Sequence, residues 1–384
     1  MKKIKVLYLL DTLAVGGAEK SLVDIAIANT IIDSVFVTIY KGDNLVSVLK
    51  ENNILVHQLE NPFRYEFDTV VSQLLPLIDT IKPDIIHATL FRSDIIARKV
   101  KRHRNIPLIS SFVNNTYLKE RYKKLTPIGK VKLFGCQMMD RLSAKYVDLF
   151  ISNSATILET NCRALGIQKS KTKVIYRGRS SAKFEIISDE EIIALKSKLK
   201  LKNSVKVLLN ISRLLDRKGQ LDLLHSYAEV LKSHQDTVLI FAGEGSYRAT
   251  LESTIKELHL EKNVLLLGNI DFVPLLLKMA DIFIFPSHYE GLPGALIEAM
   301  MAEKIIICSD IGENKECVSS SEAIFFKTSD VNELTSKINL VLEDMDQFKL
   351  IAKNAKTAAL LKFELANVVR QYNDTYHNLL NKVK

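Results

Sequence analysis

The chain has 384 residues, 47% hydrophobic and 25% charged, with a formal net charge of +9. That composition excludes disordered and collagen-like classes, and the length suits two domains, each burying its own core. No apolar run reaches the roughly 18 residues a membrane-spanning helix needs. The four cysteines, Cys136, Cys162, Cys308 and Cys317, have no C-x-x-C spacing and no histidines at zinc distance. Reduced, buried thiols in a cytosolic protein are expected.

The first residues, MKKIKVLYLLDTLAVGGAEKSL, carry a basic tip and an apolar run, as a signal peptide does. Asp11 interrupts the run, however, and no A-x-A-like cleavage site follows. The stretch reads instead as a strand over 4–10, a turn at Gly16-Gly17 and an amphipathic helix behind it. Further strands are predicted at 35–40, 84–90, 107–112, 148–152 and 173–176. The series resumes at 205–212, 237–243, 263–268, 281–286 and 304–309. Helical periodicity separates most of these β-branched runs. Near-continuous apolar strands alternating with helices predict parallel sheets covered on both faces. The fold class is α/β, with two Rossmann-like doubly wound domains.

Strand signals lapse over GRSSAKFEIISDEEIIALKSKLKLKN, so the expected organisation is a first domain over 1–180, a linker over 181–204 and a second domain over 205–365. The remaining 366–384 carry apolar residues at helical spacing with no strand to lead into. That helix is expected to cross back onto the first domain.

Charge is distributed unevenly. Residues 1–180 hold 28 Lys and Arg against 16 Asp and Glu, a net of +12, and the rest of the chain has a net of −3. The excess peaks over 98–132, where eleven basic residues meet one acid, Glu120. Such a field draws an anionic surface, whether membrane, polyanionic substrate or nucleic acid; the bland reading is a solvated face. Within PIGKVKLFGCQMMDRLSAKY, Thr126 is placed to cap a helix that starts at Pro127. Val131, Phe134, Met138 and Leu142 share one face, away from Lys130, Lys132 and Arg141. A single apolar stripe is expected to pack inward, with a membrane-facing helix as the alternative.

In open parallel sheets ligands bind at the carboxyl ends of strands, so the turns there are candidate sites. Gly16-Gly17 opens a helix whose N-terminus favours an anion, although a tight turn explains it equally. Neither this pair nor Gly243-Glu244-Gly245 completes G-x-G-x-x-G, and there is no P-loop. Redox cofactors and P-loop nucleotide chemistry are therefore disfavoured. In ISRLLDRKG, Arg213 and Lys218 follow a strand and suit a diphosphate, one as a fork and one as a point charge. In PSHYEGLPGALIEAM, the amides of Gly291 and Leu292 precede a helix that Pro293 is expected to open at its first position. Glu290 and Glu298 flank that anion site, where carboxylates suit neutral hydroxyl groups. A phosphate centre between two hydroxyl binders describes a sugar–diphosphate–nucleoside.

These segments together resemble the retaining GT4 glycosyltransferases, which have the GT-B fold of two domains facing a cleft. Glu290 and Glu298 match the family's E-x7-E motif. Gly16-Gly17-Ala18-Glu19, the Arg213…Lys218-Gly219 segment, Gly243-Glu244-Gly245 and PDIIHATL match four further elements, nearly spanning the chain. The resemblance implies that Arg213 and Lys218 bind the donor diphosphate with the amides of Gly291 and Leu292. It gives Glu298 the ribose hydroxyls, Glu290 the transferred sugar and His87 a place in the active site, against the plainer reading of His87 as a packed strand-end histidine. Arg177-Gly178 stands where Asn-Gly is usual, and Ser212, Glu303, Ile305 and Glu313 also depart from the pattern, leaving the sugar undefined.

The implied reaction is metal-independent transfer with retention, from a nucleotide-diphosphate sugar, UDP-linked by expectation, to a glycan or lipid-linked acceptor held by the first domain. No cofactor is implied. The lone D-x-D, Asp344-Met345-Asp346, lies in a polar stretch between helices and is set aside as a metal site. The implied setting is surface polysaccharide or glycolipid synthesis, in the cytoplasm or peripherally on the inner membrane face, with an anionic membrane surface met through 98–132 and no nucleic acid. Alternatives that remain are an epimerase or glycan phosphorylase of the same fold, or a non-catalytic nucleotide-sugar sensor.

Overall fold

The structure is a computed structural model that describes residues 3–14, 16–123, 125–271 and 273–383. The chain divides into two compact units, Met1–Gly178 with Leu365–Lys384 (unit 1) and Arg179–Glu364 (unit 2).

Unit 1 contains β1 (Ile4–Leu10), β2 (Ile32–Thr38), β3 (Leu55–Gln58), β4 (Ile85–Thr89), β5 (Leu108–Phe112), β6 (Leu149–Ser152) and β7 (Thr172–Val174). They form one parallel sheet in the order β3-β2-β1-β4-β5-β6-β7. Unit 2 contains β8 (Lys206–Ile211), β9 (Thr237–Ala242), β10 (Val264–Leu266), β11 (Ile282–Phe285), β12 (Ile305–Ser309) and β13 (Ile324–Phe326), parallel in the order β10-β9-β8-β11-β12-β13. Side chains alternate across a strand, and in β1 both alternations are apolar. Leu7 and Leu9 enter one core with Val35, Ile86 and Phe150, while Val6, Tyr8 and Leu10 enter the other with Phe36 and Ile25. In each sheet the order reverses beside the first strand, β1 or β8, where doubly wound folds place ligands.

The helix Leu365–Val383 belongs to unit 1. Its stripe of Val368, Tyr372, Tyr376 and Leu379 is buried in the core that holds Tyr8 and Ile25. Polar contacts fix its register. Asn29 donates to Asn373 at 2.7 Å, and the Tyr376 hydroxyl lies 3.0 Å from that of Tyr8 and 2.9 Å from Nδ1 of His87.

Two expectations change. The segment 181–204, expected as a linker, contains the helices Ala182–Glu185 and Asp189–Lys198 and falls within unit 2. Ser188 and Glu191 form a capping box on the second, which has no fully buried residue, although Ile192 and Leu195 are half-buried. The helix Pro127–Ser143 starts as expected, with Thr126 accepting from the Gly129 amide at 3.2 Å. Its apolar stripe does not pack inward. Val131 is 72% exposed, Leu142 71% and Phe134 57%. What faces the core is Leu133 and the buried Asp140, which accepts from Arg98 at 2.5 Å and from Tyr117 at 2.8 Å.

His87 is fully buried on β4, and burial pushes its imidazole down to about 3. A base whose folded value lies below its unfolded value of about 6.5 stabilises the fold above that pH and loses the contribution as pH falls toward 3. Unfolding by urea, followed by circular dichroism, is expected to show unit 1 about 2 kcal/mol less stable at pH 5 than at pH 7 from this group. In His87→Gln that increment should disappear.

Candidate active site

The site in unit 2 is assembled from the loops that leave β8, β9 and β11. Backbone proximity holds them together. Gly219 has φ +68°, and a Cβ there would lie 2.1 Å from the Pro286 carbonyl oxygen. Gly243, at φ +136°, meets the Ser212 carbonyl in the same way. Both conformations favour glycine, and both contacts exclude any side chain. Hydrogen bonds join the loops: the Ser212 amide donates to Ala242 at 3.1 Å, Leu214 to Glu244 at 3.0 Å and His288 to Arg217 at 2.9 Å.

This packing carries Lys218 to Glu290. The ammonium donates to Oε1, Arg217 lies 3.5 Å from Oε2, and the Lys218 ammonium sits 5.6 Å from the Phe285 ring centre. Both partners are buried. Burial pulls Lys218 below the ordinary lysine range; Glu290 opposes the shift, while the charges of Arg217 and Arg213 add to it. Arg213 is itself exposed, and its backbone carbonyl is held by the Gln220 amide at 3.1 Å.

Glu298 lies on the helix Gly294–Met301 and accepts from Nε of Arg179 at 2.6 Å. Pro293 is not the first helical residue but the N-cap, in an extended conformation, and Gly294 opens the helix. Among the described residues no backbone carbonyl takes the amides of Gly291 or Leu292. Lys218 and Arg217 thus meet Glu290, with Arg213 near enough for its charge to act on Lys218, and Arg179 meets Glu298: four cations to two carboxylates on the segments around the Gly294 helix N-terminus. Such a cluster suits a doubly charged anion.

Arg213, Lys218, Gly243, Glu290, Gly291, Leu292 and Glu298 all belong to unit 2, whereas Gly16, Gly17 and His87 belong to unit 1. Gly16 caps the helix Gly17–Ala28, and the Arg177 guanidinium lies where a Gly17 side chain would be. Both ring nitrogens of His87 are engaged inside unit 1, by Tyr376 and by Ser111 at 2.6 Å. Arg179 and Arg217 escaped the sequence reading. Arg217 differs in no local way from other surface cations, and Arg179 meets a partner 119 positions away. Asp344 and Asp346 occupy the turn between two helices, where Asp344 accepts from the Asp346 amide. No His, Cys, Asp and Glu cluster fit for a metal is present among the described residues.

Two family profiles match the chain, "Glycosyltransferase Family 4" over residues 34–182 and "Glycosyl transferases group 1" over residues 191–358. The chain belongs to the GT4-type glycosyltransferases. Among its relatives, the glycosyltransferase CapH of capsular polysaccharide biosynthesis from Staphylococcus aureus is 29% identical over 321 residues, 82% of this chain and 83% of that one. The UDP-Gal:alpha-D-GlcNAc-diphosphoundecaprenol alpha-1,3-galactosyltransferase of Escherichia coli is 23% identical over 87% of this chain and 88% of its own. The structure of HepE from Anabaena in complex with UDP superposes with a TM-score of 0.84 at 22% identity, covering 98% of this chain and 100% of that one. This likeness shows the GT-B fold of the GT4-type enzyme.

Gly219→Ala in this glycosyltransferase is expected to push the Lys218 loop off Pro286. Strain and lost packing should cost unit 2 about 2 kcal/mol or more in calorimetric unfolding, with unit 1 unchanged.

Proposed function

We propose that the protein transfers a sugar, with retention and without a metal, from a UDP-linked donor to a lipid-linked glycan in surface polysaccharide or glycolipid assembly. The observation that carries this reading is the Lys218–Glu290 pair set beside Arg213 and the Gly291–Leu292 amides, with Glu298 one helical segment further on. The donor diphosphate takes Arg213, Lys218 and the loop amides, and these preorganised charges stabilise the leaving group as the bond from the anomeric carbon to the phosphate oxygen breaks. The acceptor oxygen bonds to that carbon from the same face, and its proton passes to the departing phosphate. Glu290 exchanges part of its cation contact for the sugar hydroxyls. Glu298 exchanges Arg179 for the ribose. Full engagement of both its nitrogens supports giving His87 a positioning role, through Ser111, instead of a chemical one.

The lipid-linked acceptor is supported by the galactosyltransferase relative, whose acceptor is a diphosphoundecaprenol-linked sugar. An anionic membrane surface is supported by 98–132 and by the helix Pro127–Ser143, whose exposed Val131, Phe134 and Leu142 lie between exposed Lys130, Lys132 and Arg141. An amphipathic helix of this design rests in a lipid interface, apolar face down and cations at the headgroups. No helix among the described residues is long and apolar enough to cross a membrane. In this reading the enzyme works in the cytoplasm, peripheral to the inner membrane face.

With a panel of UDP-, GDP- and ADP-sugars and a lipid extract as acceptor, one nucleotide should be released. Glu290→Ala and Lys218→Ala should each lower that release by about 10²-fold or more while the far-ultraviolet dichroism is kept. Release without transfer to any lipid or glycan, or interconversion of the sugar alone, would overturn the assignment. Vesicles with anionic lipid should carry the protein in flotation at low salt, neutral vesicles should not, and Phe134→Asp should reduce the bound fraction. Equal flotation of the variant would remove the helix from the membrane contact.

A further inference from the structure

Unit 2 has a cavity of about 550 Å³ at the amino ends of β11 and β12, on the edge of the sheet opposite the loops that hold Lys218 and Glu290. Asp281, Glu303, Lys304, Lys349 and Lys353 contribute to its wall. Lys304 reaches it from a turn. Glu303, at φ +58°, ends the helix Gly294–Met301, and the Lys304 amide closes the turn on the Ala299 carbonyl at 3.1 Å. The side chain then runs to the end of the helix Val273–Met279, where Nζ donates to the carbonyls of Lys278 at 3.2 Å and Ala280 at 3.0 Å. A helix C-terminus welcomes a cation, which accounts for those two bonds. It does not account for a cavity beside the nitrogen with two more lysines on its wall.

An ammonium carries three N–H groups; the neutral amine carries two and has a lone pair in the third position. The amine can therefore serve both carbonyls and keep its lone pair for the cavity. The surroundings favour that form. Burial, then the charge of Lys278, pull Lys304 down to about 8, against the opposing charges of Asp281 and Glu303. Both carboxylates have other contacts: Asp281 accepts from the Val207 amide at 2.7 Å and Glu303 from Lys356 at 3.2 Å. Near neutral pH part of the Lys304 population is thus a nucleophilic amine, whereas an exposed lysine is almost entirely ammonium.

Lys349 and Lys353 stand about one turn apart on the helix Lys349–Phe363. Both are exposed, and Lys349 meets exposed Asp346 at 2.6 Å, a pair that water and salt weaken. They give the mouth of the cavity a positive charge suited to a small phosphate. We propose that Lys304 is acylated in this cavity by small acyl phosphates, the amine taking the acyl group while Lys349 and Lys353 hold the phosphate. The amine attacks the acyl carbon and a C–N bond forms. The bond from that carbon to the phosphate oxygen breaks, inorganic phosphate leaves with the electron pair, and it takes the proton that the nitrogen sheds. Nothing is oxidised or reduced. The product amide has one N–H for two carbonyls and no charge, so acylation loosens the tie between the end of the helix Val273–Met279 and the start of β12.

The test is acetyl phosphate on the full chain, with acetylation of each lysine followed over time by peptide mass spectrometry. Lys304 should react about tenfold or more faster than exposed Lys183 and Lys262. With Lys349→Met and Lys353→Met combined, the rate at Lys304 should fall about threefold or more with acetyl phosphate and stay unchanged with the neutral ester 4-nitrophenyl acetate. A wild-type Lys304 no faster than the two reference lysines overturns the site. Fast labelling by the ester alone, or a double variant that reacts with acetyl phosphate as the wild type does, overturns the acyl phosphate as reagent. If the double variant fails to fold, inorganic phosphate decides in the wild type: it should slow acetyl phosphate at Lys304 and not the ester, and no slowing overturns the phosphate contact.

Discussion

Lys218 and Glu290 depend on each other. Each is a charged group inside unit 2, and either alone would carry an uncompensated desolvation penalty of several kcal/mol. Together, with Arg217 at the second carboxylate oxygen, they hold the β8 and β11 loops in one arrangement. A pair of this kind adds little net stability compared with an apolar replacement. What it provides is a cation already stripped of most of its water, beside helix-terminal amides, before any ligand arrives. In the function proposed above, the electrostatics of phosphate binding would thereby be built into the folded loop.

The same logic governs Glu298 and Arg179. Each carboxylate has a cationic partner in this structure; under the proposed function a donor would have to displace it in part, which lowers affinity and raises selectivity. A ligand that brings a diphosphate without hydroxyl groups would release Lys218 from Glu290 and leave the carboxylate short of donors. One bearing both replaces what it removes.

Legibility from the sequence tracked how local the determining physics is. Buried parallel strands such as β1, β4 and β12 announce themselves as apolar runs, because both faces are covered. Of the four edge strands, β7 and β10 were read but β3 and β13 were not: Leu55 of β3 is 54% exposed, and β13 offers only three residues. Glycines at strand ends could be read because the constraint at Gly219 and Gly243 belongs to the residue itself. Contacts over long separations could not be. Nothing local to Arg179 points to Glu298, and nothing local to Val131 and Phe134 says whether another element covers them. That helix followed its amphipathic pattern; only the burial assigned to the apolar side was wrong.

Unit 1 is discontinuous in the chain, and unit 2 is not. A ribosome delivers Arg179–Glu364 whole, so this unit can reach its native state while the first sheet still waits for its last helix. Until Tyr376 emerges, Tyr8 and His87 lack a hydroxyl they share in the finished protein, and the apolar face around Ile25 and Phe36 stands open. The amino-terminal half, made first, is thus completed last. A chain cut short before Leu365 would leave a sound second unit joined to an adhesive first one, a product suited to chaperones and proteases.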